Sequence, residues 1–297
     1  MKLTRPLPRS IRIIWDAISH FNTDDGWAMA SHVALSTLLA LFPFLIFIAA
    51  LTGFLGLSGA ADQVPALIFD AWPESVAAPV AHEINKVLTV PRGDLLTFGA
   101  VAALWFASNG VGAVRAALNR AYRVRETRSF IWLRLQAILV VILGSAALIA
   151  FTFLVVLAPL ALSAALKWFP GLAPVFEELH LTRYAIAGFL GFAGLFAMHW
   201  LLPAGRRRMV DTLPGILLTL VLWVASGTVF GWYLAGYADY VSTYAGLAGA
   251  MSALVFLYIL AVLLLIGGEL NAAILRQRML AQRKASRQIT QDGASAG

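Results

Sequence analysis

The sequence predicts an all-α, polytopic membrane protein with six transmembrane helices and both termini cytoplasmic. Three observations predict it. Sixty per cent of the residues are hydrophobic and 12% are charged, against roughly 25% charged in soluble domains. The apolar residues gather into six runs long enough to cross a bilayer. The cations cluster between alternate runs.

A spanning helix needs about 20 mostly apolar residues at 1.5 Å rise each. The runs cover about 31–57, 95–117, 135–157 with a tail past Pro159, 184–202, 213–234 and 247–274. The first begins too late and runs too long for a cleaved signal peptide, so it is expected to stay in the membrane. Lys2, Arg5, Arg9 and Arg12 precede it, and Arg115, Arg120, Arg123, Arg125, Arg128 and Arg134 surround the turn between the second and third runs. Arg206, Arg207 and Arg208 follow the fourth run, and Arg276, Arg278, Arg283, Lys284 and Arg287 follow the sixth. Of the 22 cations, only Lys86, Arg92, Lys167 and Arg183 fall on the other side. Six spans bring both termini to one side, and the cation bias makes that side the cytoplasm. Topology thus accounts for the net charge of +7 without nucleic acid. With no cysteine, thiolate metal sites and disulfides are excluded.

The chain divides into a cytoplasmic segment (1–30), a transmembrane domain (31–275) and a basic tail (276–297). Ile11, Ile14, Trp15, Ile18 and Phe21 recur at helical spacing. They predict an interfacial helix on the inner leaflet, or an amphipathic helix packed on protein. The outer-face loop 59–94 carries five acids and a short amphipathic stretch, from Val76 to Leu88. The tail beyond Arg283 is polar and rich in small residues, which predicts disorder.

Polar groups inside spans are costly and are functional candidates. Glu269 closes an uncharged stretch from Gly246 to Gly268. Twenty-three residues at 1.5 Å cover roughly 35 Å, which puts Glu269 at the inner edge of the hydrocarbon. It is an interfacial carboxylate, a buried partner for Arg115 that locks two helices, or a relay for protons or cations. Asn109 lies in SNGVG (108–112), where either small-residue packing or a broken helix is expected. Gly188, Gly191 and Gly194 read as a packing row. His32 and His199 stand near inner helix ends, where structural hydrogen bonding is the simpler role. Asp24 or Asp25 is expected to cap the first long helix. Tyr237 to Gly246 form a hydroxyl-rich outer turn, read as an aromatic belt or a head-group surface. The histidines make no HxH or HExxH spacing, and no Walker loop or GxSxG elbow occurs. No cofactor, metal or catalytic centre is expected.

Four blocks in order carry a resemblance: DDGWAMASHVALSTLLALFPFLIF (24–47), LWFASNGVGAVRAALNRAYRV (104–124), LLPAGRRRMVDTLPG (201–215), and YADYVSTYAGLAGA with the closing GGELNAAI. Together they resemble the YihY/virulence factor BrkB family over about residues 15–275. The resemblance implies an integral inner-membrane protein with six helices. It also implies transport as the proposed activity, and the ribonuclease BN label of some members is regarded as a misassignment. Carried over by position, it points to Asp25, Gly26, Pro43, Arg115, Asn119, Pro203, Asp211, Pro214, Gly215, Tyr240, Thr243, Tyr244, Glu269 and Asn271. This chain departs from the pattern at His32, Leu35, Ser36 and Val241. The expected partners are the bilayer and a lipid-linked or small anionic solute. A non-transporting role in envelope integrity is the alternative.

Overall fold

Among the residues that the computed structural model describes (8–54, 93–152, 173–205, 207–236 and 245–295), all regular structure is helical. The elements are α1 (Arg9–Thr23), α2 (Gly26–Phe54), α3 (Gly93–Ala121), α4 (Phe130–Thr152) and α5 (Ala173–Leu201). A 3-10 turn (Met209–Thr212) then leads into α6 (Leu213–Gly236) and α7 (Ala245–Ser295). Four stretches are long and apolar enough to cross a membrane: Val101–Ala121, Phe130–Ala150, Met209–Leu234 and Gly249–Arg283. The apolar stretches Gly26–Leu41 and Ala185–Leu201 in α2 and α5 are shorter. The outer-face loop expected at 59–94 lies, but for its last two residues, outside the described residues. So do the tail past Pro159 and the turn holding Tyr240, Thr243 and Tyr244.

α2 packs along α3, and α7 packs against α6, α2 and α1. α4 flanks α3, and α5 meets α6. The shared core is built from small and branched residues, including Ala30 and Val33 of α2, Ala113 and Ala117 of α3, Ile216 of α6 and Ala261 of α7. Small side chains let helices approach closely where lipid supplies no hydrophobic drive. The outer faces are as apolar as the core: Ile131, Leu135 and Leu143 of α4 and Val221, Val224 and Trp232 of α6 are exposed. In water such faces would be sticky, and in a bilayer they meet acyl chains.

Four expectations meet the structure. First, small-residue packing, the simpler of the two readings at Ser108–Gly112, holds, and α3 runs unbroken there. A Cβ on Gly110 would stand 3.4 Å from the Ala40 Cβ, so this glycine serves the α2–α3 crossing. Second, in the glycine row of α5 only Gly191 has a packing neighbour among the described residues, Leu220. Third, α7 does not stop near residue 274 but continues to Ser295, 51 residues in all. Gln282, Arg283, Lys284, Ala285 and Arg287 favour helix by propensity, so polarity alone misread the tail.

Fourth, Asp25 takes the position just before α2, its carbonyl accepting from the Met29 N–H at 2.9 Å, but neither acid's side chain caps the helix among the described residues. Asp24 ends α1, and Asp25 adopts a left-handed φ of 53° that Asp tolerates better than most residues. Gly26 follows because a Cβ there would strike the ring and carbonyl of Phe21. The two carboxylates are thereby turned onto α3, where Asp24 pairs with Arg123 and Asp25 with Arg120.

α1 divides its apolar stripe. Phe21 is buried in the core and Ala17 beneath the helix, while Ile11, Ile14, Trp15 and Ile18 are exposed. Its polar flank binds α7 through Arg276, which reaches Asp16 at 3.1 Å and the His20 ring at 2.7 Å.

Candidate functional site

Five consecutive residues of α7, GGELN (267–271), face four different neighbours. A Cβ on Gly267 would collide with the Thr219 hydroxyl and approach the Gly215 carbonyl of α6. Gly215 is matched to it, since a Cβ there would strike the Gly267 carbonyl and the Asn271 amide. The backbones of α6 and α7 therefore touch. Gly268 turns to α3 and α5, with Leu118 at 3.3 Å, Ala121 at 3.4 Å and His199 at 3.9 Å from where a Cβ would stand. Glu269 and Asn271 are both 2% exposed.

Glu269 does not pair with Arg115. Its partner is Arg123, at 3.5 Å, which also holds Asp24. Arg115 points to α4 instead, donating to the Leu133 carbonyl at 3.3 Å and standing 3.9 Å from Glu126. Helical spacing extended along a straight α3 brings Arg115 and Arg120 forward. The chain instead leaves the helix through Arg123 with φ 53°, and this left-handed step swings its side chain back onto α7. Periodicity carries no signal for that step.

Asn271 organises the second part of the site. Its Oδ1 accepts from the Gly215 N–H at 2.7 Å, one of the donors left free in the first turn of α6. Its Nδ2 donates to the Thr212 carbonyl at 2.9 Å and the Tyr122 hydroxyl at 3.0 Å. Burial pushes the Tyr122 hydroxyl up to about 12, so it stays protonated. Besides accepting from Asn271, it shares a hydrogen bond of 2.9 Å with Nδ1 of His199. His199 is fully buried, and its Nε2 has no hydrogen-bond partner among the described residues. Arg207 lies over the Tyr122 ring at 4.2 Å and donates to the His199 carbonyl at 3.1 Å. Tyr122 and Arg207 were not singled out from sequence. A tyrosine at a helix end reads as belt, and an arginine in RRR reads as a topology signal.

A third part fastens the 122–129 turn. Asn119 accepts from the Ala204 N–H at 2.7 Å and donates to Glu126 at 3.1 Å. Glu126 receives two bonds at 2.8 Å from Arg128, which also donates to the Leu201 and Leu202 carbonyls at the end of α5. A cation there satisfies orphan carbonyls and complements the helix dipole. The Arg128 hydrogen bonds hold the Glu126 carboxyl down at about 2. A depressed carboxyl pKa stabilises the fold above its ordinary value and ceases to do so as pH falls through the depressed one. The wild type should therefore exceed Glu126→Gln in thermal midpoint at neutral pH. That difference should shrink between pH 4.5 and 2, as paired melts at each pH would read.

The remaining candidates stand apart. Asp211 pairs with Arg278 of α7. Asn109 is exposed and accepts from Arg134 at 2.8 Å. His32 is exposed on α2, away from His199. No group of three His, Asp or Glu side chains placed to hold a metal occurs among the described residues.

A family model described as Virulence factor BrkB matches residues 17–291. The chain belongs to that family. The BrkB match covers every described element of the site. Among relatives, the chain is 31% identical over 270 residues to YfkH of Bacillus subtilis (strain 168), whose name carries the label ribonuclease-like. That match spans 89% of this chain and 96% of the relative. It is 25% identical over 279 residues to the UPF0761 membrane protein RC1_0578 of Rhodospirillum centenum, and 24% identical over 269 residues to lpg0643 of Legionella pneumophila, also a UPF0761 membrane protein. Those matches take in 92% and 88% of this chain but only 60% and 61% of the longer relatives. No solved structure matches. The chain is thus a membrane protein of the BrkB/UPF0761 type.

Proposed function

We propose that this chain crosses the bacterial inner membrane six times, with both termini in the cytoplasm, and moves an anionic or lipid-linked solute. The cation distribution supports the orientation. The exposed Ile11, Ile14, Trp15 and Ile18 of α1 then lie in the inner leaflet, and the basic end of α7 projects into the cytoplasm.

One observation carries the transport reading. Glu269, 2% exposed, sits in the longest apolar helix and shares Arg123 with Asp24. One carboxylate oxygen, Oε2, stands 3.5 Å from the Arg123 guanidinium but makes no hydrogen bond among the described residues. A buried carboxylate so incompletely satisfied is costly. An incoming anion that takes Arg123 competes with both acids. That competition loosens the Asp24–Asp25 turn from α3 and opens the inner end of the bundle. Arg120, Arg123 and Arg276 supply the attraction, and Asn119, Asn271 and His199 position the helices around it. The ribonuclease-like label of one relative brings no role here, and the chain is not assigned an enzyme activity.

The test is flux from liposomes containing wild type or Glu269→Gln, with anions and a fluorescent lipid as cargo. Thermal melts run alongside. The amide is expected to leave the melting temperature within a few degrees and to cut flux at least tenfold. Unchanged flux in Glu269→Gln overturns the reading. The same network also ties together the ends of α3, α5, α6 and α7, which favours a second reading, a non-transporting protein that supports the envelope. Wild-type liposomes that carry none of the cargoes would select it.

A further inference from the structure

A separate feature lies on the opposite flank of α3, away from Glu269. Arg134 of α4 stands among exposed apolar side chains, with Phe130 66%, Ile131 71% and Leu135 56% exposed. Its guanidinium lies flat over the Trp105 ring, 3.9 Å from the centroid. All its hydrogen bonds among the described residues leave from one nitrogen: Nη1 donates to the Trp105 carbonyl at 3.2 Å, to Asn109 Oδ1 at 2.8 Å and to the Ser108 hydroxyl. Ser108 is 1% exposed and its hydroxyl donates in turn to the Trp105 carbonyl, so the cradle is built into α3.

The guanidinium is fixed in place, and its other edge is not used by any described residue. That edge presents Nε–H and Nη2–H side by side, the pair that grips phosphate or carboxylate with two parallel bonds. No acid meets it. Arg115 feels the charges of both Arg128 and Arg134, and the acid near it is Glu126. Arg128 already takes Glu126 with two bonds. The α3–α4 flank therefore carries surplus positive charge on an apolar surface at the basic end of the bundle. Basic pockets between spanning helices at such a level take anionic lipid head groups.

We infer that Arg134, held by Trp105, Ser108 and Asn109, binds the phosphate of an anionic phospholipid whose acyl chains lie along the exposed face of α4. The site is independent of Glu269 and stands whether or not the chain transports a solute. Trp105 fixes the plane of the guanidinium, and Asn109 and Ser108 fix its rotation. This gives the exposed polar Asn109 a role that helix packing does not.

The test uses the full chain in detergent, titrated with phosphatidylglycerol or phosphatidylcholine. Retained lipid is read by native mass spectrometry, and the melting temperature is read in parallel. Wild type is expected to prefer phosphatidylglycerol roughly tenfold, because phosphatidylcholine offers the same phosphate but offsets its charge with its own cation. Arg134→Gln removes that preference, and Arg134→Lys, which keeps the charge but not the fork, retains part of it. If the Gln variant does not fold, the Lys variant decides: a loss of about threefold or more supports the site, and unchanged affinity overturns it. Equal preference in wild type and Arg134→Gln overturns it too. Inorganic phosphate that protects wild type as well as the lipid does would also overturn it, in favour of a free-anion site.

Discussion

Gly267→Val should prevent the bundle from closing, and Gly267→Ala should lower stability by about 3 kcal/mol or more. Even the single Cβ of alanine meets two atoms that cannot step aside cheaply. One is the Gly215 carbonyl, which belongs to the first turn of α6, and the other is the Thr219 hydroxyl on the next turn. Relief requires α6 to move away from α7. That motion also stretches the 2.7 Å bond from the Gly215 N–H to Asn271 and the 3.0 Å bond from the Trp223 indole to the Leu260 carbonyl. Packing strain and hydrogen-bond loss therefore add along one helix pair. Valine compounds the collision with two further methyl groups. A control comes from α5, where Gly188 and Gly194 have nothing within 4 Å of where a Cβ would stand. Gly188→Ala should leave stability unchanged or raise it slightly, since alanine favours helix by up to about 1 kcal/mol. Thermal melts of the variants in one detergent distinguish these outcomes. Equal destabilisation by Gly267→Ala and Gly188→Ala would mean that α6 and α7 do not touch as described.

This contrast marks what was legible in the sequence. Family membership was, because four blocks in order carry it across most of the chain. A helical membrane fold was also legible, because composition and apolar run length follow directly from the bilayer as solvent. The glycines were visible but not their weight. Gly188, Gly191 and Gly194 form a regular row yet pack only at Gly191, whereas Gly215 and Gly267 are 52 positions apart and meet in space. Periodicity finds rows on one helix and is blind to pairs across two. Glu269, Asn119 and Asn271 were identified as candidates, and all three are buried. Glu269's partner was misread because Arg123 lies past the end of α3 and is itself in the left-handed conformation. The acids at 24 and 25 were read as caps because capping is local, and the partners of their carboxylates, Arg123 just past α3 and Arg120 on it, lie nearly one hundred positions away. Local chemistry was readable; the choice of a distant partner depended on how the helices cross.

Asn271→Ala is expected to cost about 3 kcal/mol, and Tyr122→Phe about 2 kcal/mol, with the double variant costing about 1 kcal/mol less than their sum. Alanine at 271 leaves the Gly215 N–H, the Thr212 carbonyl and the Tyr122 hydroxyl short of a partner in a region where Thr212 is fully buried. Each such buried group costs roughly 1–3 kcal/mol. Phenylalanine at 122 keeps the ring under Arg207 but removes the hydroxyl between Asn271 and His199. His199 Nδ1 is then orphaned, in a ring whose Nε2 already lacks a partner. The double variant loses the Asn271–Tyr122 bond only once, which is why the two costs overlap. Strict additivity in the melts would mean that the bond is absent from the folded protein. The cycle also bears on the Glu269 reading. Asn271 and Glu269 are two residues apart on α7 but face different helices, Asn271 toward α6 and Glu269 toward the α1–α2 turn. If Asn271→Ala lowers stability while Glu269→Gln lowers only flux, the anchor and the gate are separate devices on one turn of helix. If both variants lower stability to a similar extent and neither changes flux, the whole polar end of the bundle is a fastening, and the envelope-supporting reading takes its place.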